Sequence, residues 1–202
     1  VPAELVGRRV VHLGHLAGVY AEYTAVPVAH LVPLDDDTPQ EIAAAVAMAG
    51  STAHVLTREA TSVSGAVVVV HAAAGSTGGA VVQLAAAEGA HVVAITSTRA
   101  KAGQALRLGA HDAIARSDEV DLVGAVRRLT GGGAHLVFDA TGRETFTASL
   151  DMLAAGGTLV LYGAVTGHPE PFAPQQLSGL DGTAGRNGSL GVRWVAATDY
   201  LT

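Results

Sequence analysis

Short, unbroken apolar runs recur along the chain at 67–71, 91–95, 112–115, 135–139, 158–162 and 189–194. Between most of them lie stretches with helical spacing, at 79–88, 100–108, 120–129 and 145–153. Strands without polar alternation are those buried on both faces, and an intervening helix returns the chain for parallel pairing. The alternation predicts an α/β, doubly wound (Rossmann) fold. Its six-stranded parallel sheet has the expected order 3-2-1-4-5-6, counting strands as they appear. The last connection, 163–188, is rich in Gly, Pro, Ser and Asp and reads as a loop.

The first 36 residues follow another pattern. Strand-like pieces at 8–13 and 20–26 flank a turn at 14–18. Two short strands cannot bury a core alone, so 1–36 reads as the remnant of a β-rich domain and 37–202 as the doubly wound domain. Thr38-Pro39-Gln40-Glu41 has the form of a capping box with Pro at the first helical position. It opens an Ala-rich helical region reaching about residue 60, with an interruption expected near Gly50-Ser51.

Composition narrows the function classes. Of 202 residues 49% are apolar, enough for a substantial core, and the net charge is −6 without a basic cluster, which argues against a nucleic-acid partner. The longest apolar run, near 66–74, is strand-sized, so no membrane span is expected. There is no cysteine, which excludes disulfides and thiolate metal sites and fits a reducing cytoplasm. Apart from His12 and His15 the nine histidines are scattered singly. That pair straddles a turn, where a polar loop is favoured over two metal ligands, and no metal is expected. A Ser-His-Asp triad is left open by composition, but no G-x-S-x-G elbow is present. The chain opens on Val1-Pro2 without an initiator Met, as a processed product or part of a longer protein would.

The first apolar run stops at Ala72-Ala73-Ala74-Gly75-Ser76-Thr77-Gly78-Gly79 and passes straight into a helix. Strand, glycine turn and helix in that order present main-chain N–H groups and the positive end of a helix dipole to a diphosphate. Gly75 lets the main chain approach the phosphates, and Gly78 lets helix and strand pack closely. A tight turn without a ligand is the alternative.

After the second strand, where an NAD site places an acid, stand Ser97, Thr98, Arg99 and Lys101, the only lysine. Hydroxyl and ammonium donors suit a 2′-phosphate, so NADPH is expected over NADH. Arg116, ending the third strand, is placed to cover the same phosphate, to stack on adenine or to remain a solvated surface residue. Thr141, Gly142, Tyr162 and Gly163 follow the fourth and fifth strands and are expected on the nicotinamide side. Asp139 is expected to bond nearby loop amides rather than to act as a catalytic acid.

With these motifs the chain resembles the medium-chain dehydrogenase/reductase superfamily, in its zinc-free quinone oxidoreductase (zeta-crystallin-like) branch. The resemblance covers essentially the whole chain. Gly18-Val19-Tyr20-Ala21-Glu22-Tyr23-Thr24 is similar to the family's G-x-Y-A-E-Y strand, placing 1–36 in a GroES-like catalytic domain. Ala72 to Gly78 fits the A-x-x-G-x-x-G turn, with Ala74, Gly75, Ser76, Thr77 and Gly78 as the phosphate cradle. Gly50-Ser51-Thr52-Ala53 matches G-x-T-A, whose Thr lies near the nicotinamide ribose, and Lys101 falls where the family holds the 2′-phosphate. Leu108-Gly109-Ala110-His111-Asp112 resembles the L-G-A-D before the third strand.

Three departures stand out. Ser76 and Thr77 replace the usual Gly-Val and add hydroxyls facing the phosphates. Arg116 replaces a common Tyr. The family's opening and closing segments lie outside these residues, so the chain is expected to be a subset of a longer enzyme or a shortened homologue.

The resemblance implies reduction of a quinone or an α,β-unsaturated carbonyl (enone) by NADPH. It also implies a homodimer through the edge strand at 189–194. The residues themselves show no obligatory proton donor, so no catalytic residue is assigned. The alternatives are a non-catalytic NADPH-binding or scaffold protein and an enoyl-reductase domain of a polyketide-type synthase.

Overall fold

The computed structural model describes residues 2–13, 18–179 and 188–200. The chain first forms a small antiparallel pair, β1 (Val10–His12) and β2 (Leu31–Pro33), joined in the register Val11↔Val32. The strand expected at 20–26 does not form. Residues 20–23 are bends, and Tyr20 and Tyr23 are fully exposed, with no apolar layer for their rings to cover. The partner of β1 is instead the run after Pro27. Of the expected turn, 14–17 lie outside the described residues.

α1 (Gln40–His54) begins one residue later than expected, with Pro39 as its N-cap and no side-chain cap. The capping box is therefore absent: Thr38 lies outside the cap position, and its carbonyl accepts from the Arg9 guanidinium. Nor does the helix break at Gly50. It runs on to His54 and widens into a π turn, Val55–Glu59, where Val55, Leu56 and Thr57 are buried.

Six strands then build the sheet: β3 (Val67–Val70), β4 (His91–Thr96), β5 (Asp112–Ala115), β6 (Ala134–Asp139), β7 (Leu153–Leu161) and β8 (Gly191–Trp194). Every pair is parallel and the order is β5-β4-β3-β6-β7-β8. This is the order expected from the strand pattern. The helices between are α2 (Ser76–Ala87), α3 (Arg99–Arg107), α4 (Leu122–Thr130) and α5 (Phe146–Asp151).

Burial on both faces explains the lack of alternation. Val68 and Val70 point into one layer with Leu56 and with Val81, Val82 and Ala85 of α2. Val69 points into the other, with Val126 of α4 and Leu150 of α5. Each wholly buried side chain of this size stabilises the fold by about 1.5–3 kcal/mol relative to exposure.

β7 starts well before the expected 158. Its pairing shifts register between Ala134 and Leu136, and Gly156, at φ +76°, provides the irregular backbone. The loop after β7 contains a 3-10 turn, Pro174–Leu177, and its 180–187 portion lies outside the described residues.

α2 begins at Ser76, three residues before the expected start, although two glycines sit in its first turn. A Cβ on Gly78 would stand 2.4 Å from the carbonyl oxygen of Ala72. Close approach of the helix to the turn, rather than helix propensity, decides where α2 starts.

Candidate functional site

Strand order reverses between the parallel neighbours β3 and β6, and beyond the carboxyl ends of such strands lies the crevice where ligands of this sheet type bind. Two cavities occupy it, one on each side of the turn after β3. The smaller, about 170 Å3, is bordered by His71, Ala74, Ser97, Lys101, Arg116 and Thr141. The larger, about 500 Å3, is bordered by Thr52, Thr77, Gly78, Tyr162, Gly163 and Trp194, among others. Ala72 and Gly75 border both.

The structure thus brings together Ala74, Gly75, Ser97, Lys101, Arg116 and Thr141 around one cavity, and Thr52, Thr77, Gly78, Tyr162 and Gly163 around the other. Three expected site residues line neither. Ser76 borders a groove between α1 and α2. Thr98 is the N-cap of α3, where its hydroxyl accepts from the Lys101 amide at 3.4 Å. Gly142 is buried at φ +91°, and a Cβ there would meet the Gly167 carbonyl at 2.5 Å. It serves the turn after β6, a role any non-glycine would fill only with strain.

Charge is distributed unevenly around the smaller cavity. Arg99 is engaged with Asp118 at 2.9 Å, an exposed pair that draws the Asp118 carboxyl below its usual range. Lys101 and Arg116 make no ion pair among the described residues, and no carboxylate borders the cavity. Two unpaired cations and the Gly75 main chain therefore face one space. Gln104, which the sequence did not single out, reaches from α3 to the Ala74 carbonyl at 3.5 Å.

Under the cleft lies a buried polar cluster. Asp139 Oδ1 accepts from the amides of Thr141 and Gly142 at 2.7 and 3.3 Å. Its Oδ2 accepts from the hydroxyls of Thr145 and Ser149 at 2.6 and 2.9 Å. Bonding to loop amides is the role expected for Asp139. Ser149 and His71 are additions that no local pattern reveals, since they stand 78 residues apart and meet at 3.0 Å. Burial lowers the His71 pKa, the Arg116 charge lowers it further, and Asp139 opposes both. Burial, aided by Asp139, pushes the Tyr162 phenol far up.

Ser149 sits between the imidazole and the carboxylate and is fully buried, so this is no hydrolytic triad, in which the imidazole occupies the middle place. His12 and His30 stack at 6.0 Å between ring centroids, and His15 lies outside the described residues. Among the described residues no group of three His, Cys, Asp or Glu could hold a metal ion.

A doubly wound α/β domain with its open crevice at the switch point is the class that fold and site define. Residues 76–192 match the family described as zinc-binding dehydrogenase. The chain is 42% identical over 164 residues to a probable quinone oxidoreductase of Schizosaccharomyces pombe, covering 80% of this chain and 49% of that protein. It is 35% identical to a 2-haloacrylate reductase of a Burkholderia species, covering 88% and 54%. Among solved structures, Escherichia coli quinone oxidoreductase complexed with NADPH superposes with a TM-score of 0.87 at 30% identity, covering 97% and 58%.

The chain belongs to the zinc-binding dehydrogenase family, within the quinone oxidoreductase branch of the medium-chain dehydrogenase/reductase superfamily. It spans about half the length of the curated relatives it matches. The zinc of the family's name finds no fit here, for the chain has no cysteine and the described residues gather no ligand set.

Proposed function

We propose that the crevice holds NADPH and that this chain forms the cofactor half of a reductase acting on a quinone or an α,β-unsaturated carbonyl compound. The observation that carries the reading is the smaller cavity, where Lys101 and Arg116 stand unpaired beside the glycine turn with no carboxylate on its walls. A 2′-phosphate is matched by two cations and the Ser97 hydroxyl, whereas the ribose hydroxyls of NADH find no acid to accept their protons.

Ser76 and Thr77 offer main-chain N–H groups to the diphosphate at the start of α2, and Gly75 leaves the turn without a side chain in the way. Thr52, Thr141, Tyr162 and Gly163 flank the space for the nicotinamide. When bound, such a cofactor supplies a hydride to the acceptor. The chain's part is to align the two and exclude water. Tyr162 stays protonated and offers a hydrogen-bond donor at the cavity wall. No residue is assigned as proton donor.

The relatives carry the acceptor class, one being a probable quinone oxidoreductase and another a 2-haloacrylate reductase. We assign β1 and β2 to a β-rich catalytic domain and a homodimer contact to β8, whose outer edge has no strand beside it among the described residues. The absence of cysteine accords with a cytoplasmic setting.

Titration of nicotinamide fluorescence, followed by stopped-flow oxidation with quinones and enones, tests the reading. Tight binding of NADPH with turnover of either acceptor class is expected. Binding without turnover of any acceptor by the full native protein favours a non-catalytic NADPH-binding protein instead, and failure to bind removes the cofactor reading altogether.

A further inference from the structure

Asp139 ends β6 with no exposure to solvent, and four donors converge on it from three parts of the chain. Thr141 and Gly142 belong to the turn after β6, Thr145 precedes α5, and Ser149 lies on α5. Ser149 donates its only proton to Asp139, so its oxygen accepts from His71. The donor must then be Nε2–H, and in the neutral ring that burial favours this assigns one tautomer.

The main chain of His71 is held as well. The His71 amide donates to the Phe138 carbonyl at 2.9 Å, the last bond of the ladder between β3 and β6. The next residue, Ala72, holds φ at +50°, an uncommon value for alanine. Its carbonyl accepts from the Gly75 amide at 2.8 Å and is the atom that forbids a side chain on Gly78. Any rotation at His71 is therefore passed within one residue to the glycine turn.

We propose that the buried chain Asp139–Ser149–His71 is a positioning device, tying the turn after β3 to the turn after β6 at the spacing a dinucleotide requires. It rests on the reading of the crevice as a cofactor site. Asp139 and Ser149 border neither cavity, so they act through the two turns and not by touching the ligand. Burial of His71, which keeps the imidazole neutral, is consistent with this role.

Such a device affects both nicotinamide cofactors equally, because it sets the geometry of the shared diphosphate and not the charge at the 2′ position. Ser149→Ala, confirmed as folded by circular dichroism, is expected to weaken NADPH and NADH alike by about tenfold. His71→Gln keeps an N–H donor at a similar reach and should bind both cofactors more tightly than a variant without one. His71→Phe, close in volume but without a donor, should lose about tenfold for both cofactors.

Nitrogen-15 spectra of the native chain should show His71 as the Nε2–H tautomer, and Ser149→Ala should abolish that preference. The proposal is overturned by Ser149→Ala and His71→Phe binding both cofactors as the native chain does. It is equally overturned by His71→Gln losing as much as His71→Phe, by losses confined to NADPH, or by an Nδ1–H imidazole in the native protein. A native chain that binds neither cofactor overturns the cofactor reading and this role with it. Native binding with unaltered variants overturns the positioning role alone.

Discussion

Lys101 and Arg116 come from different elements, the first turn of α3 and the residue after β5, and meet at one cavity. If they grip a 2′-phosphate, removing either costs affinity only for the phosphorylated cofactor. Lys101→Ala should weaken NADPH by roughly tenfold or more, the scale of one charge-assisted hydrogen bond, and leave NADH nearly unchanged. Equal losses in parallel titrations would take the phosphate away from Lys101. Lys101 stands out in the sequence because it is the only lysine and stands where an acid is otherwise expected, and the structure puts it at the cavity wall. Thr98 borders neither cavity, and its oxygen caps α3 by accepting from the Lys101 amide, a use that a hydroxyl before a helix offers as readily as a ligand contact.

His71 gives the same scale a pH signature. Its folded pKa lies below the ordinary 6.5, so on acidification the unfolded chain takes up a proton first. Its contribution to stability is therefore present above pH 6.5 and lost as pH falls toward the folded pKa, with a limiting slope of about 1.4 kcal/mol per pH unit for one proton. Denaturant titrations from pH 7 downward should show that slope reduced in His71→Gln. An unchanged slope would assign the acid sensitivity to other groups.

At the scale of elements, α4 shows how a cap and a glycine depend on each other. The Asp121 carboxylate accepts from the Gly124 amide at 2.8 Å, and a Cβ on Gly124 would lie 1.8 Å from the other carboxylate oxygen. Asp121→Ala should cost about 1 kcal/mol by losing the cap. Gly124→Ala should lose the same bond in spite of alanine's better propensity, so the double variant should fall well short of the sum. Additive losses in chemical denaturation would show that the two residues act independently.

The sheet was legible at this scale because both of its faces are buried, and burial writes unbroken apolar runs into the sequence. The pieces read less well are those whose partner decides them. Residues 20–26 carry β-forming side chains but form no strand, and the start of α2 is set by contact with Ala72 instead of by its own glycines. Among the described residues β8 is an edge with one neighbour, and if that edge is the proposed dimer contact, sedimentation at micromolar concentration should give the mass of two chains. A single-chain mass removes it as an interface.

For the whole molecule, the cofactor reading becomes a statement about stability. Turnover needs an acceptor site as well, whereas binding needs only the crevice at the carboxyl edge of the sheet. A ligand that binds the folded chain alone raises its stability by RT ln(1 + [L]/Kd), about 2.7 kcal/mol when present at a hundred times Kd. In a chain of this length such a gain should raise Tm by roughly 5–10 °C.

NADH at the same concentration, if bound ten times more weakly, should give about half that gain, since each decade of affinity contributes about 1.4 kcal/mol. Lys101→Ala should bring the two shifts together by lowering only the NADPH value. Ser149→Ala should lower both and keep most of their difference, because the turns that Asp139 ties together serve either cofactor. A thermal scan with two ligands and three proteins thus separates charge selection at α3 from geometry set beneath the sheet. A pattern in which both variants act alike would mean that these two groups do not divide the work in this way.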